Sequence, residues 1–318
     1  MSSLAELGRF EEAARLAVER AIGLAKQSGD DHRIPIAGAA VHQDRAGGLH
    51  ILAEGVNGRI PSEPGLPGYP TDHGETAAIR TLSNANSLPW DEVVFATTLS
   101  PCAMCARSLV ELASFGLRKF VIAESKSFAG RRDLLESIPG SQVIRLSDPR
   151  AIELMNQFAN RYPWDWNADV GEIPSRSGLR FDARMLNERV NEVALHARTD
   201  AETQTSSGML AAIISDTGEI IAKANDRRSQ RSGNPTESAV IRVMGLAGSA
   251  INLRECVVVC TGPDAKPLTR ADFGEASLGA CEVFRPQRLW FQVTPADDLQ
   301  GALQEIGQSW QSEFDAEH

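Results

Sequence analysis

Between residues 9 and 30 the side chains Phe10, Ala13, Ala14, Leu16, Ala17 and Ile22 recur at helical spacing, which predicts an opening helix. Ile34 to Val41 is a continuous apolar run and reads as a buried strand, with Leu49 to Glu54 as its hairpin partner. A loop rich in Pro and Gly follows from Ile60 to Pro70, and Asp72 is placed to cap a helix starting near His73. Val93 to Thr98 predicts a further strand, after which Ser100-Pro101 opens a helix. Phe120 to Ala123 gives another strand, and a helix over Pro149 to Ala159 closes this half. The β–α–β–α alternation with short links implies a layered α/β domain.

The pattern then recurs at low identity. Glu75-Thr-Ala-Ala-Ile-Arg80 finds a counterpart in Glu237-Ser-Ala-Val-Ile-Arg242, and hairpin patterns end at Asn57 and at Asn225. The 27 residues from Glu75 to Cys102 match the 27 from Glu237 to Asp264, each interval ending in an apolar strand and a proline. Helix, interval, strand and proline recurring together predict two copies of one fold. Ile173 to Gly178 reads as the linker, so residues 1–174 and 175–318 are expected to form two domains. A length of 318 residues agrees with two domains.

Composition narrows the function. Apolar residues make up 42% and charged residues 23%, enough for an ordinary core in each half. No apolar run approaches the ~18 residues of a membrane span, and the N-terminus lacks a signal-peptide layout, so a cytoplasmic protein is expected. The 32 basic residues are outnumbered by 42 acidic ones, a balance that repels phosphate backbones and argues against a nucleic-acid substrate. Two of the five cysteines lie as Cys102-x-x-Cys105, a pair that points to metal or redox chemistry rather than a disulfide framework.

His73-Gly74-Glu75 followed by Pro101-Cys102-Ala103-Met104-Cys105 carries the strongest chemical signal. A zinc ion that activates water wants about three protein ligands and an open fourth position. His73, Cys102 and Cys105 supply three, with the cysteines on one face of a helix start where thiolate is favoured. Glu75, two residues after His73, can lean over the open position as proton shuttle. This H-x-E…P-C-x-x-C arrangement is the signature of zinc nucleobase deaminases. Taken singly, His73 could be a cap and the cysteines a redox dithiol. One Zn2+ per chain is expected, because the counterparts of His73, Cys102 and Cys105 in the second half read as Pro235, Asp264 and Pro267. Cys256, Cys260 and Cys281 read as buried small hydrophobes.

Residues 9–172 resemble the fungal-type cytosine deaminases of the cytidine deaminase-like superfamily. The likeness rests on Thr97-Thr-Leu-Ser-Pro-Cys-Ala-Met-Cys105 and on Arg161-Tyr-Pro-Trp-Asp-Trp-Asn-Ala-Asp-Val-Gly-Glu172. It implies two tandem three-layer α/β/α domains, each with a mixed central sheet, the second one degenerate and metal-free. It also implies that Asn57 and the backbone of Gly74 bind the ring carbonyl. Asp169 and the main chain of Ser100 would receive the exocyclic amine, while Trp166, Phe128 and Ile36 wall the base. Asn57-Gly58 is equally an ordinary turn pair. The extra Pro- and Gly-rich residues between Asn57 and His73 depart from the family and bear on substrate choice.

The expected activity is zinc-dependent hydrolytic deamination of a free nucleobase, cytosine to uracil with release of ammonia, Glu75 handling the protons of the attacking water. The alternatives are another aminated ring (guanine, creatinine or a modified pyrimidine), tRNA adenosine, or a non-catalytic scaffold of two deaminase folds. The second domain is expected to dock on the first as an internal pseudo-dimer in place of a second subunit, with a homodimer as the other arrangement.

Overall fold

A computed structural model of the chain describes residues 3–60, 68–82, 85–169, 209–228, 234–248, 253–261, 266–286 and 288–312, together with 188 and 192. The chain divides into two compact units, Met1–Glu172 and Ile173–His318. The linker expected at Ile173 to Gly178 lies outside the described residues. Among the described residues no helix is long and apolar enough to cross a membrane.

The first unit opens with a 3-10 turn over Leu4–Phe10, capped by the Ser3 hydroxyl, and continues into α1 (Glu11–Asp30). The hairpin β1 (Ala37–Gln43) and β2 (Leu49–Val56) follows, then α2 (Gly74–Thr81), β3 (Val93–Leu99) and α3 (Ala103–Ala113). Beyond these come β4 (Lys119–Glu124), α4 (Arg132–Glu136), β5 (Gln142–Arg145), α5 (Pro149–Arg161) and α6 (Pro163–Asp169). The sheet order is β2-β1-β3-β4-β5, with β1 antiparallel to both β2 and β3 and the last two pairings parallel.

Alternation along β3 and β4 builds the three layers. Val94, Ala96 and Val121 face the apolar side of α1, made by Ala13, Ala14, Ala17 and Ile22. Phe95 and Phe120 point the other way, into Ala78 and Ile79 of α2 and Leu109 and Leu112 of α3. Both faces are covered by helices, so β3 and β4 are buried along their whole length. Where the sequence predicts Asp72 as the cap of α2, the N-cap is His73. Asp72 instead pairs with Arg80 and accepts the Gly58 N–H through its carbonyl.

The second unit contains β6 (Leu210–Ile214), β7 (Ile220–Asn225), α7 (Ala239–Ala247), β8 (Val257–Thr261), α8 (Arg270–Phe273), α9 (Glu275–Phe284), β9 (Arg288–Phe291), α10 (Asp297–Glu305) and β10 (Trp310–Ser312). Its sheet runs β7-β6-β8-β9-β10 with the same sequence of antiparallel and parallel pairings as the first. Leu210 pairs with Asn225 as Ala37 pairs with Val56, and in both hairpins the register shifts after the fourth paired residue, at Ala40/Val41 and Ile213/Ile214.

These registers correct the repeat read from the sequence. The N–H of Asn57 donates to Ile36 O, and that of Asp226 donates to Met209 O. The Oδ1 of each then accepts the N–H two residues on, from Arg59 and from Arg228. Asp226, rather than Asn225, therefore stands where Asn57 does. Likewise the Gly58 N–H reaches Asp72 O as the Arg227 N–H reaches Glu237 O. Glu237 thus corresponds to Asp72, and the α7 N-cap Ser238 corresponds to the α2 N-cap His73. Val240, fully buried, takes the place of Glu75.

Candidate active site

Three chain segments converge at the carboxyl end of β3. His73 enters as N-cap of α2, in extended conformation. Its neighbour Gly74 lies so close to β1 that a Cβ would sit 2.5 Å from Ala37 Cα, and only glycine brings the helix start this near the strand. The chain leaving β3 passes through Ser100 and Pro101 to Cys102, the N-cap of α3, and Cys105 is that helix's third residue. The sequence places both cysteines inside the helix; Cys102 precedes it.

The ligand atoms of His73, Cys102 and Cys105 all lie within 4.8 Å of one another, and among the described residues they form the one such group of three. His73 Nδ1 is 3.4 Å from Cys102 Sγ. A hydrogen bond from the Cys105 thiol, with help from the nearby His73, holds Cys102 well below the usual thiol range. Burial, followed by that same hydrogen bond, holds Cys105 well above it. Two soft sulfurs and one imidazole nitrogen converging in this way are a three-ligand donor set of the kind zinc takes in catalytic sites.

Glu75 is almost fully buried beside this group. Burial raises its pKa, and the Thr97 hydroxyl, donating at 2.6 Å to Oε1, opposes the rise. His73, Glu75 and Cys102 line one pocket together with Ile36, Leu99, Ser100 and Phe128.

Of the other sequence-predicted residues, Ile36, Ser100 and Phe128 line this pocket. Ser100 donates its hydroxyl to Ala129 O at 2.7 Å. Trp166 of α6 meets Phe128 edge-on, with ring centroids 6.0 Å apart. Asn57 is fully buried just past β2, tied through its N–H to Ile36 O. Asp169 ends α6, and its side chain lies outside the described residues. Leu99 and Thr97 carry no role in the sequence reading. Residue alternation along β3 would have found them, since both share the strand face that meets Glu75.

Residues 11–124 match the family described as "Cytidine and deoxycytidylate deaminase zinc-binding region". A cytosine deaminase of Candida albicans (strain SC5314 / ATCC MYA-2876) is 34% identical over 155 residues, which is 48% of this chain and 93% of that protein. The chain belongs to the cytosine deaminase family of the cytidine deaminase-like superfamily.

As a member of that deaminase family the protein is a zinc-binding deaminase, and the His-Cys-Cys group fits the metal. Similar solved structures include one from a study of A-to-I editing by tRNA:A34 deaminases, 22% identical over 44% of this chain and 99% of that one, with a TM-score of 0.34. Another is a mutant of NE0047 in complex with 8-azaguanine, 19% identical over 44% of this chain and 81% of that one, with a TM-score of 0.35.

No corresponding group occurs among the described residues of the second unit. At the N-cap of α7 and the third position of α9, the helix positions of His73 and Cys105, stand Ser238 and Ser277. Both are fully buried, and their hydroxyl oxygens hydrogen-bond to each other at 2.6 Å. The expected counterpart Asp264 lies outside the described residues. Of the three remaining cysteines, Cys260 and Cys281 are buried with thiols pushed up by desolvation, as is Cys256, to about 11.

Proposed function

We propose that the first unit hydrolyses the exocyclic amine of a free pyrimidine base, cytosine to uracil plus ammonia. The observation that carries this reading is the buried Glu75 carboxylate, aimed by Thr97 and lining one pocket with the zinc-type donors His73 and Cys102, with Cys105 beside them. Zinc, when bound by His73, Cys102 and Cys105, supplies Lewis acidity that eases deprotonation of water at neutral pH. Glu75 takes the proton from the attacking water and delivers it to the ring nitrogen as the new C–O bond forms. It then moves the remaining proton of the new hydroxyl to the amine, the C–N bond breaks as the carbonyl forms, and ammonia leaves. Asn57 and the Gly74 N–H bind the ring carbonyl, while Asp169 and the Ser100 main chain hold the amine. Ile36, Phe128 and Trp166 wall the ring and exclude water. Polar groups matched to an amine reject a ring lacking it by a large factor.

The second unit is, on the same reading, a deaminase-like domain that holds no metal. Its matching strand order, the Ser238–Ser277 pair and Val240 in the place of Glu75 support this. Hydroxyls bonded to each other and an aliphatic side chain provide neither thiolate nor proton shuttle.

Ammonia release from cytosine, guanine, creatinine, adenine and tRNA tests the assignment. Cytosine is expected to be turned over fastest, and a faster bicyclic ring or tRNA overturns it.

A further inference from the structure

Glu124 is a buried carboxylate, 1% exposed, that the proposed chemistry does not use. It is the last residue of β4 and pairs in register with Leu99, a wall of the pocket. Its Oε2 accepts the N–H groups of Lys126, at 2.7 Å, and Ser127, at 3.2 Å. Its Oε1 is buried with no hydrogen-bond partner among the described residues. Burying a carboxylate with half its acceptor capacity unused is costly, and a carboxylate kept under those terms calls for an explanation.

The following residues supply one. Phe128 comes next and reaches the pocket wall, where it meets Trp166. Immediately beyond it the chain is clamped again. Ser100 Oγ donates to Ala129 O, and the Arg131 N–H donates to Pro101 O at 2.8 Å. Gly130, at φ +58°, lies where a Cβ would come within 2.4 Å of that same Pro101 oxygen. Segment 124–131 is therefore fastened at its far end to the Ser100 hydroxyl and the Pro101 carbonyl, next in the chain to Cys102. Its near end is fastened by Glu124 alone among these bonds, and the aromatic wall sits between the two.

We infer that Glu124 is a positioning residue for the deaminase pocket: its carboxylate sets the 125–127 turn and thereby holds Phe128 over the substrate ring. This rests on the free-base reading above. Loss of the clamp leaves the metal donors and Glu75 in place and loosens the ring's wall, so its effect falls first on KM.

The test uses the full-length zinc-loaded chain and compares Glu124→Gln, Glu124→Ala, Phe128→Ala and the double variant, with cytosine as substrate. Glu124→Gln keeps an acceptor for the two N–H groups and should stay within about threefold of wild type in kcat/KM, while Glu124→Ala should raise KM about tenfold, the scale of a misplaced binding group. Hydrogen exchange at the amides of Lys126 and Ser127 should quicken in Glu124→Ala and not in Glu124→Gln. In the Phe128→Ala background, removing Glu124 should add less than about twofold, because a residue acting through Phe128 is silent without it. Zinc content and melting temperature report folding, and should Glu124→Ala not fold, Glu124→Asp replaces it with the same expectation. The inference is overturned if KM stays unchanged while the two amides exchange faster, or if the Glu124 and Phe128 effects add in full. Wild-type chain that releases no ammonia from any free base shows instead that the substrate reading has failed, and the inference falls with it.

Discussion

The Thr97 hydroxyl lies 2.6 Å from Glu75 Oε1 and 2.8 Å from Leu99 O. One proton faces two acceptors. When Glu75 is ionised, Thr97 donates to it; when Glu75 is protonated, Glu75 can donate to Thr97, which turns its own proton to the Leu99 carbonyl. The hydroxyl thus stays satisfied through both protonation states of the shuttle without movement of either backbone. Thr97→Val, nearly isosteric, is expected to lower kcat about tenfold or more with zinc content retained, the range of a lost charge-assisted hydrogen bond. Thr97→Ser should recover most of the rate, and equal rates for Val and wild type would remove Thr97 from the mechanism.

Glu75→Gln keeps the size of the side chain and cannot carry a proton. Turnover should fall by about 10²–10⁴-fold, with the metal still bound. Metal analysis alongside steady-state kinetics checks this, and an active Gln variant would refute the shuttle.

One zinc per chain is expected, held by the first unit. Metal ligands must be deprotonated and burial holds the Cys105 thiol well above the usual range, so metal binding should release protons and stripping the metal with a chelator should lower the melting temperature. Two zincs per chain would contradict the metal-free assignment of the Ser238–Ser277 position.

Arg150 of α5 grips Glu19 of α1 at 2.7 Å and its own N-cap Asp148 at 2.8 Å. Hydrogen bonds from Arg150 hold both carboxyls below their usual range. Depressed carboxylate values stabilise the fold above the unfolded-state pKa of about 4 and lose that contribution as pH falls through the lower folded values. Arg150 and Glu19 are half exposed and solvent-screened, though Asp148 is only 13% exposed, so Arg150→Met should cost only about 0.5–1 kcal/mol at neutral pH. Urea unfolding should show the gap closing in acid and narrowing with added salt. A gap that persists in acid would show that the loss is one of packing.

Gly130→Ala places a methyl group against Pro101 O and forces a left-handed residue. The expected cost is about 2 kcal/mol in denaturant unfolding, the scale of overpacking joined to backbone strain. A neutral result would mean the 129–131 turn relaxes freely, and would loosen the far clamp argued above.

Much of the first unit was legible in the chain. Amphipathic α1 and the apolar strands β1, β3 and β4 announce themselves because burial imposes local periods of 3.6 and 2. The short strand β5 and helices α4 and α6 did not, since Gln142–Arg145 alternates weakly and a five-residue helix has little period to display. The ligand set was visible because metal chemistry demands rare residue types at tight spacing, whatever surrounds them.

The repeat shows where reading the chain stops. A hexapeptide likeness aligns Glu75 with Glu237, yet the hairpin registers and backbone hydrogen bonds align it with Val240. The stretch from Asp226 to Ser238 is four residues shorter than that from Asn57 to His73, and no local pattern reveals where the difference falls. Sequence by itself determined the longer elements of the first unit and the zinc donors with Glu75 beside them, because each is fixed by residue type and short-range spacing. Tertiary structure alone decided that Thr97 aims Glu75, that Leu99 lines the pocket, and that two serines meet where His73 and Cys105 stand in the other unit. Those contacts join residues more than twenty positions apart, and only strand register and helix placement determine which such residues meet.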